Sequence, residues 1–295
     1  IALLISLDPS TTMQIANSIW YRNTFAVRKS FLDAGANYFD ATISPLDFDS
    51  PSAAATINAW VSDKTHGAIP SIVDEIRADN VMYLINAIYF KGSWRDKFDA
   101  KDTRSAPFHG VAGDQAAQLM HKQSHIDYTE TATYQAVDLP YGDSAFTMTV
   151  VLPKASANVD AVASSLTTAS WRQLTSSFHP ALVALDLPKL KLSWKANLIP
   201  SLSALGTHAP FSDVDADFSN MADVAGLMIS TVDQKAFVNI DEEGTEAAAV
   251  TSVGVVATSA PLVTAVRVDR PFIFAIRERL SGTVLFMGKI VRLPN

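Results

Sequence analysis

Two apolar runs near the end of the chain constrain its fold most. Val266 to Ile276 reads VRVDRPFIFAI, and Thr283 to Leu293 reads TVLFMGKIVRL. Both are near-continuous in apolar and β-branched residues, the pattern of strands covered on both faces. Ser281-Gly282 between them carries turn chemistry and predicts a hairpin. Asn80 to Phe90, Phe146 to Leu152, Ala181 to Leu187 and Lys235 to Ile240 read as further strands, and Pro153 and Pro188 close two of them. Sheets covered on both faces need helices. Ser50-Pro51 followed by Ala54, Ile57, Trp60 and Val61 predicts one, stopping at Gly67. Others are expected around Ala26, Val27 and Phe31, over Asp160 to Leu174, and over Lys195 to Leu205, where Gly206 ends the helix and Pro200 could kink it. Helices dominate the first third and strands the last, which predicts an α+β fold with large mixed or antiparallel sheets.

With 295 residues, 48% hydrophobic and 18% charged, the chain can bury a large core. A single domain over 1–295 is expected. The net charge of −7 argues against a general nucleic-acid or anionic-membrane binder, which needs a basic face. With no cysteine, disulfides, zinc–thiolate sites and a cysteine nucleophile are excluded. No apolar run has the length of a membrane span, since Asn86 interrupts the longest, Val81 to Phe90. Ile1 opens the chain with no leader pattern in view.

Catalytic constellations are absent. Gly142-Asp143-Ser144 lacks the second glycine of a nucleophile elbow and suits a hairpin loop. His121 and His125 share a face, but two histidines without a third ligand favour surface or hydrogen-bonded roles over metal. Asp213, Asp215 and Asp217 alternate without the glycine and distant glutamate of a calcium loop, so a solvated acidic loop is expected. No enzyme activity, metal or cofactor is expected.

The most unusual stretch runs from Gly244 to Pro261, GTEAAAVTSVGVVATSAP. Its β-branched middle suits a strand and its glycines suit a linker. In an extended strand, Thr245, Ala247, Ala249, Thr251, Val253 and Val255 share one face, and none is charged. Glu246 points the other way, and no proline intervenes before Pro261.

Four motifs resemble one family. Lys235 to Ala249 (KAFVNIDEEGTEAAA) resembles the hinge of serpins, and VRVDRPFIFAI matches the serpin signature. Asn86 to Trp94 (NAIYFKGSW), followed by Phe98, resembles the third strand of their main sheet, and Leu285 to Ile290 (LFMGKI) resembles their closing strand. The resemblance spans the whole chain in order. It implies a serpin fold, a multi-helix domain around a large central mixed sheet with two further sheets and an exposed reactive loop. It places Ile1 near the family's fourth helix, so the first three helices and one strand are expected to be missing.

The resemblance implies a prokaryotic-type inhibitory serpin. A protease cleaves the loop, and the freed segment inserts into the central sheet as a new strand. The alternative is a non-inhibitory carrier or chaperone, which the small, uncharged strand face disfavours. The hinge would comprise Glu242, Gly244, Thr245, Glu246, Ala247, Ala248 and Ala249. Family spacing puts the reactive bond at Thr258-Ser259, with Ala260 as the alternative. Lys189, Trp94, Asn86 and Gln234 would form the breach and shutter of the sheet, with Glu242 paired to Lys189 and Gln234 bonding Asn86 where many serpins carry a histidine. The implied partner is a serine protease held as a covalent acyl-enzyme, with cysteine proteases as a further class. No cation lies from Val256 to Ala260, so an elastase-like or subtilisin-like target is expected rather than a trypsin-like one. A monomer is expected, acting outside the cell, at its surface or in the periplasm, with no nucleic-acid partner.

Overall fold

The computed structural model of the chain describes residues 7–245 and 262–294. In chain order the strands are β1 (Thr11–Arg22), β2 (Ala41–Leu46), β3 (Met82–Ser93), β4 (Arg104–Gly110), β5 (Gly113–Glu130), β6 (Tyr134–Pro140) and β7 (Phe146–Pro153). They continue with β8 (His179–Pro188), β9 (Leu190–Asn197), β10 (Asp233–Ile240), β11 (Gly244–Thr245), β12 (Thr264–Arg267), β13 (Phe272–Glu278) and β14 (Val284–Ile290). The α-helices are α1 (Lys29–Phe39), α2 (Ala53–Lys64), α3 (Val159–Ser165), α4 (Thr168–Ser176) and α5 (Ile199–Ala204). Two compact units form, one from Ile1–Thr12, Phe90–Leu192 and Val238–Asn295, the other from Met13–Tyr89 and Ser193–Phe237.

The first unit is built on a sheet ordered β12-β8-β5-β6-β7-β13-β14, with β4 paired to β5. Every residue of β7 and β13 is buried, as the unbroken apolar runs require. Val159, Val162 and Leu174 of α3 and α4 pack on Ala136, Val151 and Ile273. β13 and β14 form the expected antiparallel hairpin, with Gly282 at φ +72° in its turn. Gly288 has a packing reason, since a Cβ there would lie 2.5 Å from the Phe274 ring.

In the second unit β1 pairs in parallel with β2 and lies beside β3. Ile57 and Val61 of α2 are fully buried against Trp20, Ile69, Ile72, Ile85 and Ala87. β9 and β10 pair with each other.

Several expectations need correction. VRVDRPFIFAI is two strands: β12 pairs in parallel with β8, while β13 pairs with β7. Pro271, which has no amide to donate, stands at the break. The helix after Ser50-Pro51 begins later, at Ala53, because those two residues form a turn closed by Ala53 N donating to Ser50 O. Ala26 and Val27 precede α1. Asp160 to Leu174 is two helices, because the Thr167 hydroxyl accepts from Ser170 N and caps a new one. Lys195 to Asn197 belongs to β9, and Pro200 sits in the first turn of α5, where its missing amide costs nothing. The first third also carries β1, β2 and β3.

Candidate functional site

At the end of β10 the chain makes a tight turn. Asp241 N donates to Gly244 O at 3.0 Å, and Gly244 N donates back to Asp241 O at 3.3 Å. Gly244 then lies against the end of β3 at φ +143°. A Cβ there would meet only backbone: Gly92 O at 2.2 Å, Ser93 Cα at 2.6 Å and Trp94 N at 2.7 Å. Glycine is therefore required, both for conformation and for approach. Gly244 and Thr245 form β11, antiparallel to β3, with Gly244 opposite Ser93 and Thr245 opposite Gly92.

The segment after β3 grips this turn. Trp94 N donates to Glu243 O at 2.8 Å and Phe98 N to Glu242 O at 3.0 Å. The Trp94 indole donates to Asp241 O at 2.8 Å, and its ring stacks on Tyr141 with centroids 4.6 Å apart. Trp94 and Tyr141 are both buried, so the polar edge of the indole has its partner as burial demands.

Two carboxylates secure the turn electrostatically. Glu242 is buried and accepts from Lys189 Nζ at 2.7 Å and Thr103 Oγ1 at 2.7 Å. Burial alone would raise its pKa, but the hydrogen bonds from Lys189 and Thr103 outweigh that and hold it below the ordinary glutamate value. Glu243 pairs with Lys97 at 2.7 Å, both side chains being mostly shielded.

Glu242, Gly244, Lys189 and Trp94 are thus brought together, with Thr245 following in β11. Glu246, Ala247, Ala248, Ala249, Thr258, Ser259 and Ala260 lie outside the described residues. Asn86 and Gln234 are exposed, and among the described residues no hydrogen bond joins them. Asn86 instead donates to Asn17 on β1 at 2.9 Å, because β1 is the strand beside β3. Thr103, Lys97 and Tyr141 went unread in the sequence, since nothing in their local pattern sets them apart from ordinary surface and core residues.

The other motifs take plain roles. His121 Nδ1 lies 2.7 Å from Asp186 Oδ1, and His125 is exposed. Gly142 to Ser144 is the loop between β6 and β7. Asp213, Asp215 and Asp217 are exposed, and the described residues contain no metal-binding cluster of three acidic, histidine or cysteine side chains.

The comparisons with known proteins agree with this geometry. The family model Serpin (serine protease inhibitor) matches residues 3–293. Serpin B11 of Homo sapiens is 32% identical over 292 residues, covering 96% of this chain and 74% of that protein. The crystal structure of a thermophilic serpin, tengpin, in its native state matches with a TM-score of 0.89 at 33% identity, covering 99% of this chain and 76% of that one. Tengpin in its latent state matches with a TM-score of 0.82 at 32% identity, covering 97% and 77%. The chain belongs to the serpin family, whose members are mostly serine protease inhibitors and not enzymes, and its fold is the serpin fold.

Proposed function

We propose that the chain inhibits serine-type endopeptidases as a suicide substrate, through cleavage of the segment after β11 and its insertion along β3. The observation that carries this reading is the ladder between β11 and β3. Gly244 and Thr245 already occupy the first two positions of an antiparallel strand. On that edge, Met82 to Lys91 of β3 has no strand partner among the described residues. Continuing the same register would set Ala247 opposite Phe90, Ala249 opposite Ile88, Thr251 opposite Asn86, Val253 opposite Leu84 and Val255 opposite Met82. Leu84 is 65% exposed, so insertion would give it an apolar neighbour.

The energetics depend on those side chains. A ladder hydrogen bond contributes about 0.5–1.5 kcal/mol net, whereas ordering one backbone residue costs about 1–2 kcal/mol. Ladder bonds alone fall short of the ordering cost. Side-chain burial decides, and a run of Ala, Thr and Val keeps that contribution favourable where a charge would reverse it. That tengpin has been solved in native and latent states supports a fold with more than one stable arrangement.

The bait is the small-residue segment around Thr258-Ser259, which suits an elastase-like or subtilisin-like pocket. The same reading puts the protein outside the cell, at its surface or in the periplasm, where cell fractionation would find it. Mixing the chain with pancreatic elastase and, separately, with subtilisin tests the proposal. A complex that survives denaturant is expected, with intact mass equal to protease plus the chain only as far as a cut between Val256 and Ala260, the C-terminal fragment having left as the amine component of the broken peptide bond. Cleavage without a complex, and without a rise in the Tm of the cut protein, would overturn it and leave a carrier or chaperone.

A further inference from the structure

Within the first unit lies a cavity of about 400 Å³, walled by Lys122 and Ser124 to Asp127 of β5 and by Asp138 to Pro140 of β6. Arg95 and Asp96 stand at its exposed mouth. Its acceptors are largely taken. Asp138 receives Arg277 at 2.6 Å and the Thr149 hydroxyl at 2.5 Å, and Asp127 receives Arg279 at 3.3 Å. The Asp96 carboxylate is at the rim, in reach of water.

Its donors are under-used. Lys122 Nζ donates to Asp96 O at 2.7 Å and sits 4.3 Å over the Phe98 ring. An ammonium carries three donors, so one carbonyl leaves it short of partners. Burial holds its pKa down to about 8, against a smaller upward pull from Asp96. The Ser124 hydroxyl is buried with no partner among the described residues. Burying such groups without partners is unfavourable until an acceptor arrives. The volume lies at the lower end of small-ligand pockets, roughly 300–1,000 Å³.

We propose that this cavity binds a compact organic oxyanion, a carboxylate or a phosphate monoester, whose oxygens accept from Lys122 Nζ and Ser124 Oγ with Arg95 at the mouth. The occupant also braces the loop root. Residues 95–98 continue directly from Trp94, Lys97 pairs with Glu243, and Phe98 N holds Glu242 O. This bracing is a statement about backbone order and stands whether or not the chain traps a protease.

The test titrates the full chain with citrate and, in a second arm, phenyl phosphate, against sodium chloride at matched ionic strength. Calorimetry reads affinity, and hydrogen exchange reads the Phe98 amide. One of the two anions is expected to bind, and the arm that binds names the class. Lys122→Met is expected to weaken it about tenfold or more, as loss of a charge-assisted hydrogen bond predicts. Lys191→Met, an exposed lysine outside the cavity, leaves affinity unchanged. Ser124→Ala weakens binding about threefold or more, the size of one lost neutral hydrogen bond, and decides the matter if Lys122→Met does not fold. No binding of either anion at about 10 mM, a very weak affinity, or equal losses at Lys122 and Lys191, overturns the site. Binding without added protection at Phe98 overturns the bracing.

Discussion

Gly244→Ala offers the sharpest test of the loop root, because its cost can be bounded from both sides. The new methyl would lie 2.2 Å from Gly92 O and 2.6 Å from Ser93 Cα, where real contacts stay beyond 3.0 Å. Those atoms are the backbone of β3 and cannot swing aside. A non-glycine residue at φ +143° carries strain of its own, about 1–3 kcal/mol. The clash cannot cost more than releasing β11, which forfeits its short ladder with β3 and the Trp94 N to Glu243 O bond. Some three hydrogen bonds at about 0.5–1.5 kcal/mol each set a ceiling of about 4.5 kcal/mol. The expected outcome is a detached root: the Trp94 amide loses exchange protection, Tm falls by several degrees, and elastase cleaves the loop with little trapping. Gly226→Ala is the control, since that glycine has φ +75° and nothing within 4 Å of its added methyl. If the two variants lose equal stability and the Trp94 amide stays protected in both, the close approach of Gly244 to β3 does not hold the root.

Other perturbations separate the remaining parts. Glu242→Gln is expected to cost about 1–2 kcal/mol at pH 7, the worth of a charge-assisted bond discounted because Lys189 is 41% exposed. The Glu242 pKa is depressed in the folded state, so its contribution is complete above the ordinary glutamate value and lost as pH falls through the folded one; the Tm gap between wild type and variant should therefore narrow progressively once pH drops below the ordinary glutamate range. Arg277→Met strands the buried Asp138 carboxylate and should cost about 3–5 kcal/mol in urea melts, with much of it recovered in Arg277→Met/Asp138→Leu; equal losses in both would show the pair to be inert. Under the proposed mechanism, Thr251→Arg should leave Tm unchanged yet shift the outcome from trapping to simple cleavage, read as a stoichiometry of inhibition rising several-fold, because the inserted strand would bury a charge opposite Asn86. Val266→Ala removes a buried anchor of β12 and should speed spontaneous loss of activity in the uncut chain while leaving the rate of protease trapping unchanged.

Legibility in the sequence followed burial. β7 and β13, buried on both faces, announced themselves as unbroken apolar runs, and the Ser281-Gly282 turn joined β13 to β14 as read. β5 did not, because its eighteen residues carry QLMHKQSHIDYTE, where half-exposed polar positions mask the alternation. The end of β9, Lys195 to Asn197, reads as helix in the sequence because it runs directly into a genuine helical signal at Ile199. The loop root was readable at Gly244 and Glu242 through family resemblance. Its clamp was not, because Thr103 and Lys97 act through tertiary position alone, 139 and 146 residues away in sequence from the carboxylates they hold.

The clamp has a consequence for how the loop is kept out. The residues that grip it, Trp94, Lys97 and Phe98, continue directly from β3, the strand that insertion would extend. The clamp therefore sets the register in which a ladder would start and does not block it. Restraint must come from the other end. β12 is fixed to β8 from Thr264 to Arg267, so the uncut segment is pinned at Thr245 and at Thr264. Each residue added to the ladder is taken from the length that must return to Thr264. Laddering 246–255 carries the chain about 33 Å down β3 at strand rise. The residues left, 256–263, reach at most about 28 Å. In the uncut chain any laddered segment must stay joined to Thr264 within that reach, whereas one cut at Thr258-Ser259 removes the tether at once. Cleavage in this picture supplies no energy. It lifts a length constraint on a ladder whose first two rungs are already made.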